Sequence, residues 1–490
     1  MTGSGLFDIA QSLLLSIGNS EVALRLRAPC LLASAVALAG STLFTVAAPA
    51  QAATGDGVQI APGSISRLAT ISQPPTEAQC VASFTVPCYD PAQIQTAYDE
   101  GPLFANKING KGETIVIVDA FGTPTIESDL ATFDAQFGLP APPRFTIIQP
   151  AGQVPPWNPA DSAMVNWGGE TTLDVEWSHS IAPDASIVLV ETPVAETEGE
   201  AGFPQIVKAE NYVINHNLGD VISQSFAATE QTFPSSEALL SLRSAYINAN
   251  AHDVTVLAGA GDAGATDWSN TAATLLYTHP VASWPATDPL VTAVGGTQLS
   301  LNSAGQRTAP DRAWNDTYNE SLNEVFFGDP GPNALAGGGG KSVIFARPPY
   351  QNGVASVTGN QRGVPDISMS AACSGLVDTY QSFPGVTAGW YVTCGTSEAT
   401  PLMAGIVALA DQVAHHRLGL INPALYALKA EHAPGLVPVT LGNNTVSFTQ
   451  NGKEYTVQGF SASSQYNLVT GVGTVNAALF VPELAVAANS

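Results

Sequence analysis

The chain has 490 residues, 45% of them hydrophobic and only 12% charged, with 16 Lys+Arg against 41 Asp+Glu and a formal net charge of −25. This composition excludes a disordered polyelectrolyte, and the acid excess argues against nucleic acid or anionic lipid as partner, because such a surface repels polyanions. It suits an acidic setting, where free Asp and Glu titrate near pH ~4 and the self-repulsion fades.

Taken in order, Arg25 and Arg27 precede an apolar run from Leu31 to Ala48, and Ala50-Gln51-Ala52 supplies a small-x-small cleavage pattern. Residues 1–52 therefore read as an export signal, cut after about Ala52. A membrane anchor is the competing reading, since a span needs ~20 apolar residues. No second run of that length follows, so the expectation is a secreted, extracellular chain, off the membrane once cleaved and monomeric. Residues 53–90 are rich in Ser, Thr and Pro and read as an extended N-terminal segment. Of the five cysteines, Cys30 falls in the signal. The other four could form two disulfides, Cys80–Cys88 and Cys373–Cys394, in an oxidising compartment, buried free thiols being the alternative. No Cys/His cluster suggests zinc.

From Asp90 the pattern becomes regular. Helices are expected over 91–103, 126–137, 171–181, 206–217 and 235–249, and strands over 114–118, 186–190, 221–225, 254–258 and 291–294. Strands of solid Val, Ile and Leu with helices between them argue an α/β domain, a mostly parallel sheet covered on both faces. One large domain over 91–490 is expected. On such sheets ligands bind beyond the carboxyl ends of the strands, where Asp119, Asp262 and Ser397 lie.

Three stretches carry chemistry. Glu170 and Asp174 stand at i and i+4, on one helix face, among Leu173, Val175 and Trp177 and with no Lys or Arg following at helical spacing. Two carboxyls in a poorly solvated place cannot both ionise easily, so such a pair can act as a base at acidic pH, where histidine is already protonated. A solvated acidic face is the plainer alternative. Asp262 lies in the Gly-rich turn Gly261-Asp262-Ala263-Gly264; kept neutral, it could donate to an oxyanion, and otherwise it is a turn aspartate. Ser397 sits in Cys394-Gly395-Thr396-Ser397, between a strand at 389–393 and an apolar, helix-spaced run, a corner that suits either a nucleophile or a helix cap.

These blocks occur together in one order. Glu170-Thr171-Thr172-Leu173-Asp174, Gly261-Asp262-Ala263-Gly264, Val294-Gly295-Gly296-Thr297 and Gly395-Thr396-Ser397-Glu398-Ala399-Thr400-Pro401 resemble the sedolisins, serine-carboxyl peptidases with a subtilisin-like fold. Arg362-Gly363-Val364-Pro365-Asp366 supports the match, which covers about residues 88–485. The resemblance implies Ser397 as nucleophile, Glu170 as its base, Asp174 as partner of Glu170 and Asp262 as protonated oxyanion donor. It also implies that Ser223, Ser225 and Phe226 line the strand that pairs with extended substrate, with Ala227 where the family usually has Gly. Classical subtilisins share the Gly-Thr-Ser turn and an acid like Asp119, but none of the seven histidines sits in a His-Gly-Thr-His segment. Asp119 is then structural or supporting, and His179 a packed helix histidine.

Two departures from that family bear on expectation. Only about residues 53–90 separate signal and catalytic pattern, where the family carries a long folding prosegment. Pro438 and Asn467 stand where the family has Asp ligands for calcium, so the calcium site is expected to be lost and no cofactor to be required. The expected function is a secreted, acid-active endopeptidase on protein or peptide substrates. A catalytically inactive relative that binds peptides or surfaces is the alternative. Gly337-Gly338-Gly339-Gly340-Lys341-Ser342 resembles the end of a phosphate-binding loop, but Leu335 stands where that motif needs Gly; a flexible loop is expected.

Overall fold

The runs read as buried strands are too apolar to leave either face in water, and they lie side by side. In the computed structural model, which describes residues 73–488, they are β1 (Thr114–Ala120), β2 (Phe145–Ile148), β3 (Ser186–Thr192), β4 (Val221–Gln224), β5 (Thr255–Gly259) and β6 (Thr292–Gln298). Two more complete an eight-stranded sheet of order β7-β6-β5-β4-β1-β3-β2: β7 (Arg312–Ala313), antiparallel to β6, and β8 (Ile367–Ser370), which pairs with β6 in parallel. The remaining pairings are parallel. The expected α/β architecture is therefore present. The export signal and residues 53–72 of the N-terminal segment lie outside the described residues.

Alternation along each strand divides the core. Ile115, Ile117, Ile187 and Leu189 join one apolar cluster; Val116, Val118, Val188 and Val190 join another. Helices cover both. Over the first lie α4 (Ser162–Ile181) and α6 (Thr396–Ala414), and over the second α5 (Phe203–Asn215). Helix α4 is buried on nearly every side, with Leu173, Val175, Trp177 and Ile181 each at most 2% exposed. Each such side chain contributes about 1.5–3 kcal/mol through burial. Asp161 caps the helix, accepting from the N–H groups of Ala163 and Met164. The whole of 162–181 is helical, nine residues more than 171–181 would give at its start.

Several expected elements change shape for local reasons. Residues 77–84 are not extended but form α1 (Glu77–Phe84), started by a capping box between Thr76 and Gln79 and tied down by the Cys80–Cys88 disulfide. The helix expected over 91–103 divides into α2 (Pro91–Ala97) and Gly101–Ala105 at Asp99, which takes a left-handed φ of 61°. The helix expected over 235–249 divides into Ser236–Ser241 and Ser244–Ala251 at Arg243, whose guanidinium grips both oxygens of Asp288 at 2.5 and 2.8 Å. α3 (Ile126–Phe137) keeps its expected ends.

The Arg362–Asp366 pair locks β8 to β6. Both side chains are fully buried; Arg362 reaches Asp366 at 2.5 and 2.6 Å, and Asp366 also accepts from Tyr426 and from the amide of Ala293. Removing one partner strands a charge in the core. The Asp366→Ala chain should lose about 3–5 kcal/mol of unfolding free energy, measured by urea titration; a loss below ~1 kcal/mol contradicts this account.

Candidate active site

Four chain segments converge at the carboxyl ends of the central strands. The first is the serine corner. Strand Gly389–Thr393 leads through Cys394 to Gly395, whose φ of +119° only glycine adopts readily, and α6 begins at Thr396. Ser397 thus sits in the first turn, where unpaired N–H groups favour negative charge. Cys394 is bonded to Cys373, which pins the corner from behind. Pro401 has no N–H to give the carbonyl of Ser397 four residues back, so the turn carrying the serine is freed from one helical hydrogen bond. Ser397 keeps partial solvent access while Thr396 and Glu398 beside it are buried.

The second segment is α4, which carries the carboxyl pair inward. Glu170 is 2% exposed and Asp174 fully buried. Burial pushes the Glu170 carboxyl well above the ordinary range; Asp119, Asp262 and Glu196 add to that, while the Ser397 hydroxyl opposes it. Ser397 is thus within reach of Glu170, but no well-formed hydrogen bond joins them, an arrangement that substrate-free sites often show. Asp174 is also raised, by burial first and then by Asp119 and Glu170, with the Ser225 hydroxyl pulling the other way through a 2.9 Å hydrogen bond to Oδ1. Asp119, at the end of β1, completes the group; burial lifts it to about 7, with Thr171 opposing and Glu191 adding. Both oxygens of Glu170 and of Asp119, and Oδ2 of Asp174, meet no donor among the described residues. Buried carboxyls this close repel one another as anions, so they bind their protons as a group.

The third segment is the turn after β5. Oδ1 of Asp262 accepts from the amide and the hydroxyl of Thr396, both at 2.7 Å. Burial raises this carboxyl to about 6, the two Thr396 bonds oppose the rise, and Asp267 adds to it. With Oδ1 doubly engaged, a proton belongs on Oδ2. That oxygen borders Gly395, where a Cβ would fall 2.8 Å from it. Ser225, Ala227, Gly261, Asp262 and Ser397 all retain partial exposure and form the accessible line of the site.

The fourth segment is the glycine run 337–340, and here the expected flexible loop is corrected. The run is buried and pairs by backbone with the Asp262 turn: Ala336 donates to Asp262 O at 2.9 Å and Gly338 to Gly261 O at 2.6 Å. A Cβ at Gly338 would sit 2.0 Å from the Ala260 carbonyl oxygen. These glycines are there for close approach, neither for mobility nor for phosphate.

The other expected site residues are placed differently from one another. Ser223 is fully buried inside the sheet, between Ile117 and Leu257. Phe226 is 5% exposed and packs against Phe203, centroids 6.2 Å apart. Only Ser225 is half-exposed, and its hydroxyl is spent on Asp174. His179 is fully buried, with Nε2 against the Pro140 carbonyl at 2.8 Å. The roles of Thr396 and Ser225 as carboxyl partners had no sequence signal, because hydroxyls beside Gly or Gln are common everywhere.

Asn467 occupies the place expected of a calcium carboxylate. Its amide nitrogen donates to the carbonyls of Ser463 and Gln465, and its Oδ1 accepts from the amides of Val469 and Thr470. Asn467 therefore offers calcium no negative charge, and its one oxygen is already engaged by two amides, so this side chain does not fit the carboxylate ligand. Pro438 is exposed and has no side-chain oxygen.

A model of the subtilase family matches residues 166–476. Kumamolisin from Bacillus sp. (strain MN-32) is 31% identical over 368 residues, 73% of this chain and 58% of its own. Sedolisin from Pseudomonas sp. (strain 101) is 28% identical over 408 residues, 82% of this chain and 62% of its own. Human tripeptidyl-peptidase 1 is 26% identical over 369 residues, 71% of this chain and 56% of its own. The chain thus spans about three-fifths of these relatives' length. The solved structure of Pseudomonas sedolisin, complexed with two molecules of pseudo-iodotyrostatin, has the same fold: TM-score 0.65 at 24% identity, covering 81% of this chain and 97% of that one.

Proposed function

The chain belongs to the subtilase family, in its sedolisin branch, and from that premise we propose that it is a secreted serine-carboxyl endopeptidase acting at acidic pH on proteins or peptides. The observation that carries the reading is the meeting of the half-exposed Ser397 hydroxyl with the buried Glu170 carboxyl at a helix N-terminus.

Glu170 takes the Ser397 proton as Oγ attacks the scissile carbonyl carbon. The new oxyanion receives a hydrogen bond from protonated Oδ2 of Asp262, neutral below about 6, and from the Ser397 amide. As the C–N bond breaks, Glu170 returns the proton to the departing amine, leaving Ser397 acylated. Water then attacks the ester, Glu170 removes its proton, and the carboxylic acid leaves as Ser397 regains its hydrogen. Asp174 and Asp119 hold the rest of the shared protons and so set how readily Glu170 accepts one.

Purified protein incubated with casein should release peptides at acidic pH and lose that activity toward pH ~7, as Asp262 ionises; the rate should also fall at the lowest pH, where the raised Glu170 carboxyl holds its proton and cannot act as base. Sequencing the products distinguishes internal cleavage from trimming at termini. Activity confined to neutral pH would sink the mechanism; tight peptide binding with no cleavage would favour the inactive-relative reading. Among the described residues no helix is long and apolar enough to cross a membrane. The arrangement of Asn467 supports a chain that needs no calcium. Dialysis against a chelator should leave the melting temperature within ~1 °C, since an ion bound at 100 times its Kd would add about 2.7 kcal/mol. A larger drop, reversed by calcium, contradicts this.

A further inference from the structure

Beyond Asp119, β1 runs into Phe121 and a groove of about 610 Å³. Phe121, Ile126, Ile147 and Trp157 form apolar walls, Glu191 lies at the buried base and Glu127 at the exposed lip. No Lys or Arg is among its lining residues.

The groove adjoins the carboxyl group of the active site, because Glu191 is the register partner of Asp119 across β1 and β3 and shares its face of the sheet. Glu191 acts electrostatically on Asp119. Phe121 holds a left-handed φ of 61°, uncommon for a bulky residue, with its amide bonded to Thr192 O at 2.9 Å. Trp157 packs on α4 at Gly168, two residues before Glu170: a Cβ on Gly168 would fall 2.8 Å from its ring. Its indole N–H donates to Pro384 O at 2.7 Å, and Phe383 meets it edge-on, so the wall is braced.

Glu191 is only half used. Oε2 accepts from Gln149 at 2.7 Å, and no donor among the described residues is bonded to Oε1. An aliphatic substrate side chain would cover that oxygen without satisfying it. We propose that the groove is a specificity subsite of the substrate cleft and takes an arginine or lysine side chain flanking the scissile bond. The methylene stem lies along the apolar walls, the cation meets the faces of Phe121 and Trp157, and the head group bonds Glu191. This rests on the peptidase reading above.

The test is a positional-scanning peptide library cleaved by the full chain, read as the Arg-to-Leu ratio at each position. One flanking position should favour Arg by about 10- to 100-fold, the range of a charge-assisted hydrogen bond, and the preference should grow as pH rises from ~4 to ~6, because burial raises the Glu191 carboxyl and leaves it less ionised at the lower pH. In the Glu191→Gln chain that ratio should collapse toward one, and in Trp157→Ala it should fall severalfold. A Glu191→Gln ratio equal to wild type at every position overturns the proposal. Binding of labelled peptides to the Ser397→Ala chain separates the two readings. Equal affinity for Arg and Leu peptides sinks the subsite, whereas an Arg preference in binding without wild-type cleavage sinks only the peptidase.

Discussion

Acid proteolysis by the Ser397→Ala chain falls about 10⁴- to 10⁶-fold, and Glu170→Gln falls to a similar floor. The two residues perform one step: an unactivated serine is a poor nucleophile, and a carboxyl facing no hydroxyl has no proton to take. The double variant should therefore be no worse than either single one, because groups acting as a unit lose their effect together. What survives comes from Asp262 and from binding. Replacement of Asp262 by Asn is milder, about 10²- to 10³-fold, because the amide still donates one hydrogen bond. Single-turnover cleavage of a quenched fluorescent peptide measures all four chains. Activity that persists in Glu170→Ala at neutral pH would mean that a histidine is the base.

The melting temperature should fall by more than ~10 °C between pH ~4 and ~8, the reverse of ordinary acid unfolding. Glu100, Glu176, Glu210, Asp378 and Asp411, together with Glu398 beside Ser397, are buried carboxyls to which the proposed mechanism gives no step. Burial raises every one of them; Glu210 and Asp411 reach about 8. In the unfolded chain each loses its proton near the ordinary value of ~4. Above that the native state binds more protons than the unfolded one, so unfolding becomes easier as pH rises. The contribution is fully present below ~4 and is lost as pH climbs through the native values. Each group forfeits on the order of a few kcal/mol, and water entering the core lessens that. Scanning calorimetry of the Ser397→Ala chain avoids self-digestion. A melting temperature that is flat or rising with pH would overturn the argument, and Glu210→Gln should flatten the decline.

Much of this was legible in the residues. Solid Val/Ile runs announced β1, β3 and β4, because a strand buried on both faces has no polar side to hide. The i, i+4 spacing of Glu170 and Asp174 put them on one face, and the apolar neighbours of that helix announced their burial. The start of α4 was not legible, since Asn166, Gly168 and Gly169 dilute the helical pattern and only tertiary packing holds them in it. Composition also misled at 337–340: glycine signals both freedom and close contact, and only the approach to Ala260 decides which. The partners of the carboxyls, Thr396 and Ser225, come from distant segments that no local pattern connects. Of the residues expected along the substrate strand, Ser223 is buried by the register of β4 against β1 and β5, and Phe226, beyond the end of β4, by packing on Phe203; sequence spacing reveals neither.

The glycine run against the Asp262 turn also bears on the order in which the molecule is made. The backbone bonds that fix Asp262 cannot form until residues 336–338 have been synthesised, and Ser397 follows later still. Contacts so far apart in sequence form late and slowly, after local helices and neighbouring strands are in place. A ribosome-bound chain can thus carry its whole set of acids and remain chemically inert. On the peptidase reading proposed above, the ability to cut is the last property the molecule acquires, so an unfinished polypeptide cannot cut its neighbours.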